Sequence, residues 1–173
     1  MKLSIFILFI LFCIPVNSKE ANGAFDVPAG NYGSEYKIPV DSDMYFGCEF
    51  EVSEYRNNEE WGPYFSLNFS DVNKEEAISI HFTKSLDDYL VFSVNFREKR
   101  INSYEEKVLT LKRISDVITM SMAWSNKVMY FEFADNTGQA SKYFLIAPKF
   151  TPEEAFLSVS GAKGVYSCSA EKI

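Results

Sequence analysis

The sequence predicts an all-β fold, an antiparallel β-sandwich, on three observations. Apolar and polar residues alternate along many short stretches. Turn chemistry built on Asp, Asn, Gly and Pro separates those stretches. Helical periodicity is missing almost everywhere. The clearest stretch is 114–133, ISDVITMSMAWSNKVMYFEF, which reads as a hairpin with matched faces. Ile118, Met120, Met122 and Trp124 fall on one side of its first strand, and Met129, Phe131 and Phe133 on one side of its second, around Ser125-Asn126-Lys127. Such a half-buried pair needs a second apolar layer, and the other stretches supply it.

In chain order, residues 1–18, MKLSIFILFILFCIPVNS, have Lys2 as a positive start, an apolar run over 3–14 and a modest-sized Val16-Asn17-Ser18 end. They read as a secretory signal peptide, too short and wrongly flanked for a spanning helix. Bulky Phe12 before Cys13 argues against lipid attachment there. The protein is therefore expected to be secreted, extracellular or, in a bacterium, periplasmic. The leader holds one of the 17 Lys and Arg residues and none of the 24 Asp and Glu, so the remaining 155 residues carry 16 cations against 24 acids, a formal −8. That length suits one domain. Its charge would repel phosphate backbones and anionic membranes, so no nucleic-acid partner is expected.

Residues 19–34, with Gly23, Pro28 and Gly30 among polar neighbours, are read as a flexible N-terminal lead-in holding one short strand near Phe25, and 35–173 as the sandwich domain. Residues 36–40 form an edge strand limited by Pro39. Residues 44–52 turn Met44, Phe46, Cys48, Phe50 and Val52 inward; 53–60 is a polar loop leading to Trp61-Gly62-Pro63. Inward sets Phe65, Leu67, Phe69, then Ile78, Ile80, Phe82, then Leu90, Phe92, Val94, Phe96 define strands over 64–70, 77–83 and 89–96. Residues 97–106 read as a charged connection with a short strand at 101–104, and 107–113 as a further strand. Asp135-Asn136-Thr137-Gly138 is a turn, and 143–147 a mostly apolar strand. Thr151-Pro152-Glu153-Glu154 has the chemistry of a one-turn helix start. Strands over 155–160 and 165–170 finish the chain around a Gly161 to Gly164 turn. No repeat or linker divides it.

Cys48 and Cys168 remain after leader removal, and an exported chain favours their disulfide. That bond would tie the last strand to one of the first.

The spacing of Ile118, Met120, Met122, Trp124, Val128 and Tyr130 resembles the hairpin of laminin G-like and concanavalin A-like lectin/glucanase sandwiches, in which alternating apolar residues run into a Trp, a polar turn and a strand bearing Tyr. The upstream strands have an order and spacing compatible with that jelly roll. The resemblance implies a jelly-roll module that binds glycan or protein ligands, sometimes through calcium, with β-glucan cleavage in some members. The Glu-x-Asp-x-x-Glu arrangement of the glucanases is absent here, so no enzyme activity carries over. The lectin metal-site run of Asp and Asn around an aromatic is absent as well, so no cofactor is expected.

The acid doublets 59–60, 75–76, 87–88, 105–106 and 153–154 fall in turns or connections and read as solvated charge rather than catalytic pairs. His81, the one histidine, reads as an exposed strand residue. Asp41-Ser42-Asp43 and Asp71-Val72-Asn73 offer oxygens to calcium, with turn formation the simpler use. Tyr45, Tyr64, Tyr89 and Tyr130 all face away from the expected core. On neighbouring strands of one sheet they would make an aromatic surface for sugar rings or for an extracellular protein; otherwise they only cover sheet surface, for which strand propensity suits them. Trp61 is a contact residue if its loop is exposed and core if it is tucked under. Asn68-Phe69-Ser70 is a glycosylation sequon in a eukaryotic source, set in mid-strand. The function expected is a secreted, non-catalytic binding module for glycan, with a structural or protein-interaction role as the alternative and glycan hydrolysis third.

Overall fold

The computed structural model describes residues 18–58, 60–84, 89–98, 103–113, 116–135, 141–145, 148 and 150–173, with side chains at all of these except 89, 98, 103–113, 135 and 141–145. Residues 1–17 and the turns at 86–88 and 136–138 lie outside the described residues.

Among the described residues, strands form two six-stranded antiparallel sheets. The first runs in the order β1 (Lys19–Val27), β12 (Ala162–Lys172), β3 (Met44–Tyr55), β8 (Val117–Ser125), β9 (Val128–Asp135), β10 (Ser141–Leu145). The second runs β2 (Gly33–Pro39), β11 (Glu154–Ser160), β4 (Tyr64–Ser70), β5 (Ala77–Lys84), β6 (Tyr89–Glu98), β7 (Ser103–Arg113). The fold is an all-β sandwich, as the alternation implies.

The period-two pattern holds because each sheet buries one face. Phe46, Phe50, Ile118, Met120 and Phe133 of the first sheet meet Phe65, Leu67, Ile80, Phe82 and Phe92 of the second, all at most 1% exposed. Phe65 sits at the middle of this interface. Its ring stacks on Phe82 (centroids 4.3 Å) and meets Phe50 (5.3 Å), Phe25 (5.6 Å) and Tyr55 (6.4 Å) edge-on. Cys48 and Cys168 are bonded cross-strand partners of β3 and β12, each 2% exposed.

Three expectations for the chain path need correction. Residues 19–27 are one nine-residue strand, β1, paired along its whole length with β12, rather than a lead-in with a short strand at Phe25. Its polar residues misled because β1 is an edge strand with much of its length exposed, while Phe25 and Val27 are buried. Arg56 fixes the same edge, reaching Asp26 (2.5 Å) and Glu54 (3.0 Å), and its hydrogen bonds, helped by its charge, hold both carboxyls below their usual range. Residues 151–153 stay non-helical: the Glu153 N–H donates to the Ser70 carbonyl and the Val40 N–H to the Glu153 carbonyl, so neighbouring strands claim the groups a helix would need. The turn near the C-terminus is Gly161 alone, where the chain leaves one sheet for the other. Gly161 has φ +59°, and a Cβ there would lie 2.7 Å from the Arg56 carbonyl oxygen. Strand β12 resumes at once, with a register shift at Lys163 and Gly164.

The β8–β9 hairpin turns through Asn126 (φ 51°) and Lys127 (φ 63°), the two positive angles of a type I′ turn. Asp43 braces it, accepting from the Ser125 hydroxyl and the Asn126 N–H, both at 3.0 Å. Asn tolerates this geometry, whereas Lys does so at a cost. Lys127→Gly is therefore expected to raise stability by about 0.5–1 kcal/mol, read as a higher urea midpoint at unchanged slope. A drop would mean that the Lys127 side chain contributes more than its backbone angle costs.

Candidate functional site

The outward face of the second sheet is not a plain solvated surface. Ser66, Asn68, His81 and Ser93 point away from the core yet are 1%, 6%, 3% and 0% exposed. The register explains how they gather. Phe156, Asn68, Ser79 and Asn95 stand in one row across β11, β4, β5 and β6, and Ser158, Ser66, His81 and Ser93 in the next. Apart from the fully buried Ser93, these rows floor a groove of about 650 Å³.

A hydrogen-bond network holds the floor. The Asn68 amide nitrogen donates to the Ser66 hydroxyl (2.9 Å) and the Phe156 carbonyl (3.1 Å), and its oxygen accepts from the Ser79 hydroxyl (2.6 Å). The sequon asparagine thus lies mid-strand with its amide engaged. His81 is buried rather than exposed, because Tyr64 lies over it with ring centroids 4.9 Å apart. Ser93 Oγ and Asn95 Oδ1 have no hydrogen-bond partner among the described residues.

One end of the groove is aromatic. Tyr32 meets Tyr64 edge-on at 5.8 Å, and Trp61 stands beside them, the first 58% and the last 50% exposed. The Trp61 loop is tied down by Asn58. Its side-chain oxygen accepts from the N–H groups of Glu60 (2.9 Å) and Trp61 (2.6 Å), its amide donates to the Ala29 carbonyl (3.3 Å), and its own N–H donates to the Trp61 carbonyl (2.9 Å). Gly30, at φ +82°, packs so close that a Cβ would touch the Trp61 indole at 3.3 Å. An indole so fixed loses little freedom on meeting a ligand.

The four outward tyrosines do not share a sheet. Tyr45 and Tyr130 belong to the first sheet, where they flank Ala123 in one row. Tyr64 belongs to the second, and Tyr89 begins β6 of that sheet, its side chain outside the described residues. Strand order, which single-sequence alternation does not encode, splits them. The structure brings together Tyr64, Trp61 and Tyr32. Tyr32 was missed, although an aromatic set between Gly30-Asn31 and Gly33 is a readable signal, since a turn has no core for it to enter.

The two acidic loops act as turn braces. Asp43 caps the hairpin as above, and Asp71 Oδ1 accepts from the Glu76 N–H (2.9 Å). Asp41 pairs with Lys172 at 2.9 Å. Among the described residues no three His, Cys, Asp or Glu side chains converge as metal ligands. A second, shallower depression of about 720 Å³ lies by Phe25, Glu51 and Val165; its Asp26 is already held by Arg56 and Lys163.

No protein family and no curated protein matches this sequence. Similar folds occur among solved structures. Scytalido-glutamic peptidase, in complex with a peptide-based transition-state analogue, superposes with TM-score 0.58 at 11% identity, over 78% of this chain and 66% of its own. The xylan β-1,4-xylosidase of Bacillus halodurans C-125 gives 0.54 at 9%, over 75% of this chain and 27% of its own. The CBM2 module of an evolved Dit from Lactobacillus casei BL23 phage J-1 gives 0.50 at 11%, over 81% and 67%. The chain thus spans about a quarter of the xylosidase. At these identities the likeness is one of fold: a β-sandwich of jelly-roll type, the architecture that the hairpin's resemblance implies.

Proposed function

We propose that this is a secreted, non-catalytic glycan-binding module whose site is the groove on the second sheet. The observation that carries the reading is the pairing of a pre-set aromatic end, Trp61 with Tyr32 and Tyr64, to a floor of amide and hydroxyl groups. Sugars present an apolar ring face and a fringe of hydroxyls, and such a groove offers both a stacking surface and hydrogen-bond partners. In support of a binding rather than a hydrolytic role, Glu60 at the rim is the one carboxylate among the described lining residues, whereas glycoside hydrolysis uses two acids facing across the scissile bond. The Cys48–Cys168 bond is in keeping with export, and among the described residues no helix is long and apolar enough to cross a membrane.

A glycan array followed by calorimetry on the protein starting at Lys19 tests this. Trp61→Ala is expected to weaken binding by about 2 kcal/mol, roughly thirtyfold, as buried aromatic anchors do. Tyr130→Ala, on the opposite sheet, should leave affinity within twofold of wild type. Uniform failure to bind any glycan, or equal loss from the two substitutions, would remove the groove as the site. Release of reducing sugar ends from a bound glycan would overturn the non-catalytic reading.

A further inference from the structure

We propose that the groove selects an acidic oligosaccharide, one bearing uronate carboxylates or sulfate esters; this rests on the glycan-binding reading above. The chain as a whole is acidic, with 17 Lys and Arg against 24 Asp and Glu, so an average surface patch should be negative. Among the described lining residues that balance is reversed: Lys74 and Arg97 stand against Glu60. The two cations gather at the end of the groove away from Trp61. Arg97 is the cross-strand partner of Ala77 at the start of β5, whereas Lys84, the last residue of that strand, shares the core-facing side of Ile78, Ile80 and Phe82 and lays its ammonium 5.5 Å above the ring of Tyr55, which is outside the lining. From Ala77 to Lys84 at the aromatic end is seven residue steps, roughly 23 Å, the length of several sugar rings.

The way these cations are held leaves their charge in place. The Lys74 ammonium lies 4.6 Å above the ring of Phe156, itself a lining residue. An aromatic face positions a cation without cancelling it. Arg97 donates to the Lys74 backbone carbonyl at 3.4 Å. Among the described residues neither of the two is ion-paired with a carboxylate.

The floor between this end and Trp61 is made of the amide and hydroxyl groups of Asn68, Ser79 and Ser158 rather than of further charge. The matching ligand therefore carries hydroxyls along its length and negative charge at the end that meets Lys74 and Arg97.

The test is calorimetry of the protein starting at Lys19 with three probe sets of matched length: neutral β-1,4-linked oligosaccharides, oligogalacturonates and heparin-derived oligosaccharides. One or both acidic sets should bind roughly tenfold tighter than the neutral set, and raising salt from 0.05 to 0.5 M should erase most of that advantage. Which acidic set binds distinguishes carboxylate from sulfate. Lys74→Gln and Arg97→Gln should each lower acidic binding up to about fivefold and lower neutral binding by a clearly smaller factor. Trp61→Ala should lower both. Equal or better binding of the neutral set would overturn this inference while the glycan-binding reading stands; silence of all three sets, with a blank array, would overturn both. If one glutamine variant melts below wild type, the other, on a separate element, decides the result. An acidic preference that survives both substitutions would place the charge recognition elsewhere and overturn the assignment.

Discussion

Phe65→Ala is expected to lower unfolding stability by about 3–5 kcal/mol, the range for deleting a fully buried aromatic ring. Phe65 is 0% exposed and touches rings from β1, β3, β5 and the end of β3, so the deletion strips contacts from both layers at once. Antiparallel sheets cannot close easily over such a void, because each strand is held by its neighbours' ladders. The pair geometry adds to the loss: the parallel stack on Phe82 and the edge-on contacts are favoured arrangements, each contributing about 0.5–1.5 kcal/mol beyond area burial. Since a domain of this size has about 5–15 kcal/mol in all, the variant should be marginal at 37 °C. Urea denaturation followed by tryptophan fluorescence would read the effect as a lower midpoint at unchanged slope. A change below about 1 kcal/mol would mean that the two sheets do not meet at Phe65.

Removing the Cys48–Cys168 bond is the second large effect. The bridge closes a loop of 120 residues in separation, for which the chain-entropy model gives about 5 kcal/mol, and native bridges in exported domains typically contribute about 2–5 kcal/mol. The cysteines already face each other across β3 and β12, with Cα atoms 4.1 Å apart, so the bridge adds little order to the native sheet and acts mainly by restricting the unfolded chain. The double variant Cys48→Ala/Cys168→Ala is the right comparison, since both sites are buried and serine would bury a hydroxyl. Its urea midpoint should match that of wild type under reductant, and both should fall well below oxidised wild type. Coincidence of oxidised and reduced midpoints would show that the two thiols do not bridge in the folded protein.

Much of the fold was legible because alternation is a local property. The inward sets 44–52, 65–69, 78–82, 90–94 and 118–124 follow from side-chain direction along a strand alone. Strand β1 was harder, because an edge strand needs few apolar residues and so resembles a loop. The candidate site was less legible still. Ser66, Asn68, Ser79 and His81 read as ordinary outward positions, and only the pairing β11-β4-β5-β6 joins them into a floor with Ser158 and Asn95. The burial of His81 under Tyr64 depends on the same pairing, and so does the separation of Tyr45 and Tyr130 from Tyr64. Trp61 was recognisable as a contact candidate, but what fixes it, the reach of Asn58 to Ala29, joins two loops far apart in sequence.

The antiparallel match of Lys19 with Ala170 puts the two outer segments of the domain side by side at one pole of the sandwich. Trp61 belongs to the other pole, where Gly161 leads into β12 and a Cβ added at Gly161 would approach Pro63. A tag or neighbouring domain joined at either terminus would therefore project away from the aromatic mouth. On a biosensor chip coupled through the C-terminus, the mouth would face the flowing sample, and a short peptide bridging the old ends would permit a circularly permuted version with new termini at a surface turn such as 126–127.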